Sequence, residues 1–185
     1  VSGWLKKPER WSKTTIGAIP MGHEVTVTPI QLVSAIGAIA NDGQYMKPFV
    51  VKYVKDVQEE ILELTEPEVV DRVISRSTAD RLKKILQAVV DGGTGRRAQI
   101  EGVSVGGKTG TAQKVIDGVY SHEKFQASFF GFAPVENPRL AAIVVFDEPN
   151  PSYYGGTVAA PVFQTVIEDS LRYLKTSQMA LTYNN

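Results

Sequence analysis

The residues best suited to chemistry lie in one short segment, Gly106-Gly107-Lys108-Thr109-Gly110-Thr111. Glycines flank a lysine and two threonines, so a ligand can approach both the backbone and the polar side chains. If this segment is a strand running along a cleft, its parts divide the work of an acyl-transfer site. Lys108 supplies positive charge for a substrate carboxylate, and the Thr109 and Thr111 hydroxyls add directed hydrogen bonds to it. Gly110 removes the side chain that would block an acyl group, and a following backbone amide can point at the developing oxyanion.

The same letters allow two other readings. One is an ordinary glycine-containing edge strand with a solvated lysine. The other is a phosphate-binding loop, since Gly102-Val103-Ser104-Val105-Gly106-Gly107-Lys108-Thr109 satisfies G-x-x-x-x-G-K-S/T. Ala142-Ile143-Val144-Val145-Phe146-Asp147 even resembles an apolar strand ending in a magnesium-binding aspartate. Context counts against that loop. The preceding Arg96-Arg97-Ala98-Gln99-Ile100-Glu101 is too polar for a buried strand, and Gly110, Thr111, Val115, Ile116 and Gly118 are poor formers of the helix that must follow. The S-x-x-K string Ser121-His122-Glu123-Lys124 sits in a polar stretch with no long helix to orient the pair and no third group behind it. His23 and His122 are the only histidines and cysteine is absent. Thiol nucleophiles, disulfides and cysteine-based zinc sites are therefore excluded, and no metal or cofactor is expected.

The elements that must position this segment follow from periodicity and turn signals. A first helix opens at Thr28-Pro29 and stops at Asn41-Asp42-Gly43; Ile30, Leu32, Val33, Ile36 and Ile39 cover most of its circumference, which predicts deep burial. A second starts with Ser77 as cap, points Leu82, Ile85, Leu86 and Val89 inward and Arg81, Lys83, Lys84 and Gln87 outward, and ends at Gly92-Gly93. A third begins at Pro161, with Phe163, Val166, Ile167, Leu171 and Leu174 on one side and fraying beyond Lys175. Phe49 to Val57 and Ile61 to Leu64 read as a small two-stranded excursion. Gly102 to Lys114 is strand-like, and Phe125 to Pro134 and Arg139 to Asp147 are joined by the turn Val135-Glu136-Asn137-Pro138. This order predicts an α+β layer with an antiparallel sheet flanked by helices.

Composition bounds the rest. The chain has 185 residues, with Lys plus Arg 20 and Asp plus Glu 20, a formal charge of zero. That length supports one core burying roughly 70% of the unfolded surface. Zero net charge without a long basic run argues against electrostatic capture of nucleic acid or an anionic membrane. The longest uncharged stretch, Pro149 to Ile167, is broken by Pro149, Pro151, Gly155, Gly156 and Pro161, so no spanning helix is expected. The chain begins at Val1 without a signal-like segment and is expected to be a processed product or a piece of something longer.

Lys108-Thr109-Gly110-Thr111-Ala112-Gln113 resembles the K-T-G-T-A motif of the penicillin-binding protein transpeptidases. The surroundings resemble that family too: Gly92-Gly93-Thr94-Gly95 before the motif, Phe130-Gly131-Phe132-Ala133-Pro134 with Asn137-Pro138 after it, then Val145-Phe146-Asp147-Glu148-Pro149. Tyr154-Gly155-Gly156-Thr157-Val158-Ala159-Ala160-Pro161-Val162-Phe163 matches the start of the final helix. Val27-Thr28-Pro29-Ile30-Gln31-Leu32 with Ala40-Asn41-Asp42-Gly43 matches the buried helix upstream. The likeness spans residues 15 to 175 and is nearest to the class B enzymes of the division or sporulation type.

The resemblance implies a beta-lactamase-like transpeptidase fold, of which residues 1–176 form the C-terminal portion; the polar residues beyond Lys175 predict a disordered tail at 177–185. It implies a serine D,D-transpeptidase that crosslinks peptidoglycan stem peptides through an acyl-enzyme and is acylated by penicillins. Lys108 would carry the catalytic charge, Thr109 and Thr111 would bind the terminal carboxylate beside Gly110, and the Thr111 amide would be one oxyanion donor. The family's nucleophile and its S-x-N serine are expected upstream of Val1, so this chain alone is expected to be inactive. Two strands that pair with this part are expected there too, which predicts a bare sheet edge or apolar face here. The implied partners are the stem peptide, β-lactams and the N-terminal part of the same domain, with no nucleic acid. An anchor outside this chain would hold the enzyme at the outer face of the bacterial cytoplasmic membrane. A non-catalytic module that keeps the fold for binding or scaffolding is the alternative.

Overall fold

The computed structural model describes residues 3–19 and 22–183, with side chains to 176. Strand β1 (Trp4–Leu5) precedes the short helix α1 (Thr15–Ala18) and pairs antiparallel with β2 (Val25–Thr26). Fully buried Thr15 ties this lobe together, its hydroxyl donating to the Glu24 carboxylate at 3.0 Å while Lys6 approaches the same oxygen at 3.2 Å.

Helix α2 (Pro29–Ala40) starts where the proline signal places it. Thr28 Oγ1 accepts from the Gln31 N–H at 3.3 Å, and Gln31 Oε1 accepts from the Thr28 N–H at 2.9 Å, a reciprocal cap that satisfies two orphan donors. Its predicted deep burial is not what the structure has. Only Ile36 and Ala38 are buried, Ile30 is 55% exposed, and an open groove of about 270 Å³ between Ile30, Val33, Gly37, Met46 and Pro48 runs along the outer side.

Four short strands follow: β3 (Gln44–Met46), β4 (Tyr53–Lys55), β5 (Ile61–Leu64) and β6 (Val69–Arg72). The expected hairpin, β4 with β5, is nested inside an outer pair, β3 with β6, that periodicity does not reveal. Helix α3 (Arg76–Asp91) is capped by Ser75, two residues before the expected Ser77, because the Ser75 hydroxyl accepts from the Thr78 N–H at 3.2 Å. Lys83, expected to face outward, is buried; its ammonium donates to Asp42 in the turn after α2, and Ile85 takes the solvent side instead.

The centre is a three-stranded antiparallel sheet in the order β7 (Gly106–Ile116), β8 (Val119–Ala133), β9 (Leu140–Asp147). Asp117 and Gly118, both at positive φ, turn β7 into β8. One face of the sheet packs Phe129, Ala133, Ala142 and Val144 against Val90 of α3 and against Ala159, Ala160, Phe163 and Ile167 of the last helix, α4 (Gly155–Tyr183). The other face packs Phe130 and Phe132 against Val33, Ile36 and Ile39 of α2. Helices thus cover both faces of an antiparallel sheet, a mixed architecture within the expected α+β class.

Helix α4 begins six residues before its predicted start and contains Pro161. That proline lacks the N–H owed to the Thr157 carbonyl, and the Arg97 guanidinium donates there instead at 3.4 Å. Its backbone stays helical through 183, where a disordered tail is predicted from 177; 184–185 lie outside the described residues. Among the described residues no strand pairs the outer edge of either β7 or β9, so this sheet is bare on both sides.

Candidate active site

Strand β7 brings all four predicted residues to one place. At its start the strand lies directly on two aromatic rings: a Cβ on Gly107 would sit 2.6 Å from the Phe129 ring, and one on Gly106 would sit 2.8 Å from the Phe132 ring. Only glycine lets the backbone settle there, and the buried rings fix its height over the core. The next residues emerge from that packing. Lys108 is exposed, and Thr109 and Gly110 are half-buried.

The polar groups then converge. Lys108 Nζ donates to the Thr109 carbonyl at 2.9 Å and to Thr109 Oγ1 at 3.3 Å. Thr94 Oγ1, from the turn after α3, lies 3.0 Å from Thr109 Oγ1. The Gly155 N–H, at the start of α4, donates to Thr111 Oγ1 at 3.2 Å. Two glycines allow this helix end to press so close. A Cβ on Gly155 would fall 2.2 Å from the Ser128 carbonyl oxygen and 2.4 Å from that of Gly110, and one on Gly156 would fall 2.5 Å from that of Thr94. Opposite Gly110 stands Ser128, whose Oγ would lie 2.4 Å from a Cβ there. The arrangement offers an ammonium, two hydroxyls and a helix N-terminus, all favourable to an anion.

The competing readings fare differently. Residues after Lys108 form strand rather than the helix that must follow a phosphate-binding loop, and Asp147 at the end of β9 pairs with Lys114 at 3.0 Å. Ser121 and Lys124 stand in β8 near the opposite end of the sheet. There the Ser121 hydroxyl accepts the backbone N–H groups of Glu123 and Lys124, at 3.2 and 3.0 Å, and Lys124 Nζ lies 3.5 Å from Glu148. His23 meets the Tyr120 ring edge-on at 5.5 Å. Sequence reasoning gave no role to Thr94, Ser128 or Gly155; the glycine runs at 92–95 and 155–156 were the signal, marking backbones that come close together.

The family model described as penicillin binding protein transpeptidase domain matches residues 1–168. Stage V sporulation protein D of Bacillus subtilis is 40% identical over 92% of this chain and 27% of its own length. The probable peptidoglycan D,D-transpeptidase PenA of Neisseria flavescens is 35% identical over 95% of this chain and 42% of its own. Among solved structures, penicillin binding protein 3 of Mycobacterium tuberculosis in complex with aztreonam superposes with a TM-score of 0.83 at 30% identity, covering 94% of this chain and 41% of that one. The transpeptidase domain of Burkholderia pseudomallei penicillin-binding protein 3 gives 0.77 at 35% identity, covering 93% and 50%. The chain thus spans less than half the length of the curated relatives named here, and it belongs to the penicillin-binding protein transpeptidase domain family.

Proposed function

We propose that this chain supplies one wall of the active cleft of a serine D,D-transpeptidase that crosslinks peptidoglycan stem peptides and is acylated by penicillins. The observation that carries the reading is the open edge of β7, where Lys108, Thr109 and Thr111 gather around Gly110 and the lysine meets the carbonyl and hydroxyl of Thr109 rather than acids. The terminal carboxylate of a D-Ala-D-Ala stem peptide lies against the Thr109 and Thr111 hydroxyls within the field of Lys108. A serine of the complete protein attacks the penultimate carbonyl, and the Thr111 N–H donates to the oxyanion that forms. Collapse expels D-alanine, which takes up a proton at its nitrogen, and leaves an acyl-enzyme. An amine on a neighbouring stem peptide then attacks that ester, takes the acyl group and returns the serine hydroxyl.

The nucleophile is assigned to the part of the complete protein outside this chain, because Ser121 stands in an extended strand with its oxygen held by two backbone amides. The substrate places the enzyme on the outer face of the cytoplasmic membrane, held by an anchor outside this chain; no helix among the described residues is long and apolar enough to cross a membrane. The test is labelling with a fluorescent penicillin, followed by peptide mapping. Label is expected on the complete protein, at a serine outside these residues, and none on this chain alone. Stoichiometric label on Ser121 would overturn the assignment.

A further inference from the structure

We infer that Thr94 is a positioning residue that sets the direction of the Thr109 hydroxyl, an inference that rests on the carboxylate-binding role proposed above for Thr109. A threonine hydroxyl has a single proton to give and two lone pairs with which to accept. A carboxylate is acceptor-only, so Thr109 can hold one only by spending that proton on it. Whatever else touches Thr109 Oγ1 must then donate to it. Lys108 Nζ, 3.3 Å away, can do nothing else, since an ammonium has no lone pair. Thr94 Oγ1, 3.0 Å away, can do either. When Thr94 donates, both acceptor positions of Thr109 are filled and its proton points to the ligand. When Thr94 accepts, Thr109 meets the ligand with lone pairs and repels it.

The two threonines of the strand solve this problem differently. Thr111 Oγ1 accepts from the main-chain N–H of Gly155 at 3.2 Å, a group that cannot reverse. Thr109 depends on a side chain, and the fold holds that side chain in place. The Gly93 and Gly95 N–H groups both donate to the Val89 carbonyl, at 3.1 and 3.0 Å, closing the turn that carries Thr94. On its other side the Thr94 carbonyl abuts Gly156, where a Cβ would lie 2.5 Å away and where Thr109 Cγ2 also meets the helix. Thr94 is therefore clamped between the end of α3 and the start of α4, with its hydroxyl toward Thr109.

The experiment compares acylation of the complete protein by a penicillin and by the methyl ester of the same penicillin, which lacks the carboxylate charge. The readout is the ratio of the two second-order rate constants. Thr94→Val keeps the shape and removes the hydroxyl; it is expected to lower the rate with the acid about tenfold, the scale of a lost hydrogen bond next to a charge, and to leave the ester unchanged. Thr94→Ser is expected to restore the ratio. An equal loss with both compounds, no loss with either, or failure of serine to restore the ratio would overturn the inference. Thr109→Val separates the two layers. If it abolishes the preference for the acid while Thr94→Val does not, the inference about Thr94 fails alone. If Thr109→Val also leaves the preference intact, the carboxylate role of Thr109 fails and takes this inference with it.

Discussion

Strand β7 carries Lys108 near its start and Lys114 near its end, and the two ammonium groups keep different company. Lys114 lies 3.0 Å from Asp147 and 2.7 Å from Glu148, while Lys124 reaches Glu148 from another side at 3.5 Å. Donation to Glu148, then to Asp147, raises the Lys114 pKa above its ordinary value. Lys108 is surrounded by the oxygens of Thr109, and among the described residues it forms no ion pair. A positive charge becomes available to a ligand where the fold gives it hydroxyls and glycines; placed among acids, the same residue type becomes part of the framework. The packing beneath differs in the same sense. The Lys108 end rests on buried phenylalanines, and the Lys114 end leads into an exposed hairpin.

This contrast can be broken from either end. The largest effect is expected from Phe129→Ala, which removes the ring under Gly107 and leaves a cavity at the centre of the core. A loss of about 3–5 kcal/mol should appear in chemical denaturation of the complete protein. A loss well below this would mean that the ring does not support the strand. Next comes Lys108→Ala, expected to slow penicillin acylation by about 10²–10³, the scale of one lost transition-state contact, while leaving stability unchanged. Lys114→Ala should leave acylation within about twofold, since its charge is already committed. Equal effects at the two lysines would erase the comparison.

Smaller again, Gly107→Ala is expected to cost about 1–3 kcal/mol by forcing a Cβ toward the Phe129 ring and the Phe130 carbonyl. Ala112→Val, exposed farther along the strand, should stay within about 0.5 kcal/mol. The smallest effect belongs to acid titration of the paired end. Lys114, donating to Glu148, holds that carboxyl below its ordinary 4.5. Its contribution to stability is therefore present above pH 4.5 and is lost as pH falls through the lowered value of the folded protein. Glu148→Gln should accordingly be less stable than the parent near neutrality and indistinguishable from it in strong acid, with the gap narrowing in added salt. A gap that persists in acid would point to packing instead.

Local signals were legible wherever chemistry and geometry act within a few residues. Thr28-Pro29 announced a helix start, and the cap found there is closed by Gln31, three residues on. Val135 to Pro138 announced the turn between β8 and β9, and the K-T-G-T segment announced a strand with its lysine exposed. What stayed hidden depends on partners distant in sequence. Lys83 has a place inside because Asp42 waits across the interface between α2 and α3. Pro161 sits inside a helix because Arg97 replaces its missing donor. The exposure of α2 is hidden too, because an apolar circumference says how much a helix can bury, and only the packed neighbours say how much it does. Within the site, the glycine runs marked close approach, yet the bonds from Thr94 and Gly155 to the two threonines emerge only once α3, β7 and α4 are brought together.

The central claim is that the start of β7 receives a carboxylate. The most direct measurement is a crystal structure of the complete protein acylated by a penicillin. The ligand carboxylate is expected within hydrogen-bonding distance, about 2.6–3.2 Å, of both Thr109 Oγ1 and Thr111 Oγ1, with Lys108 on the same rim. A carboxylate bound away from these threonines, with the ligand still joined to the serine, would contradict it.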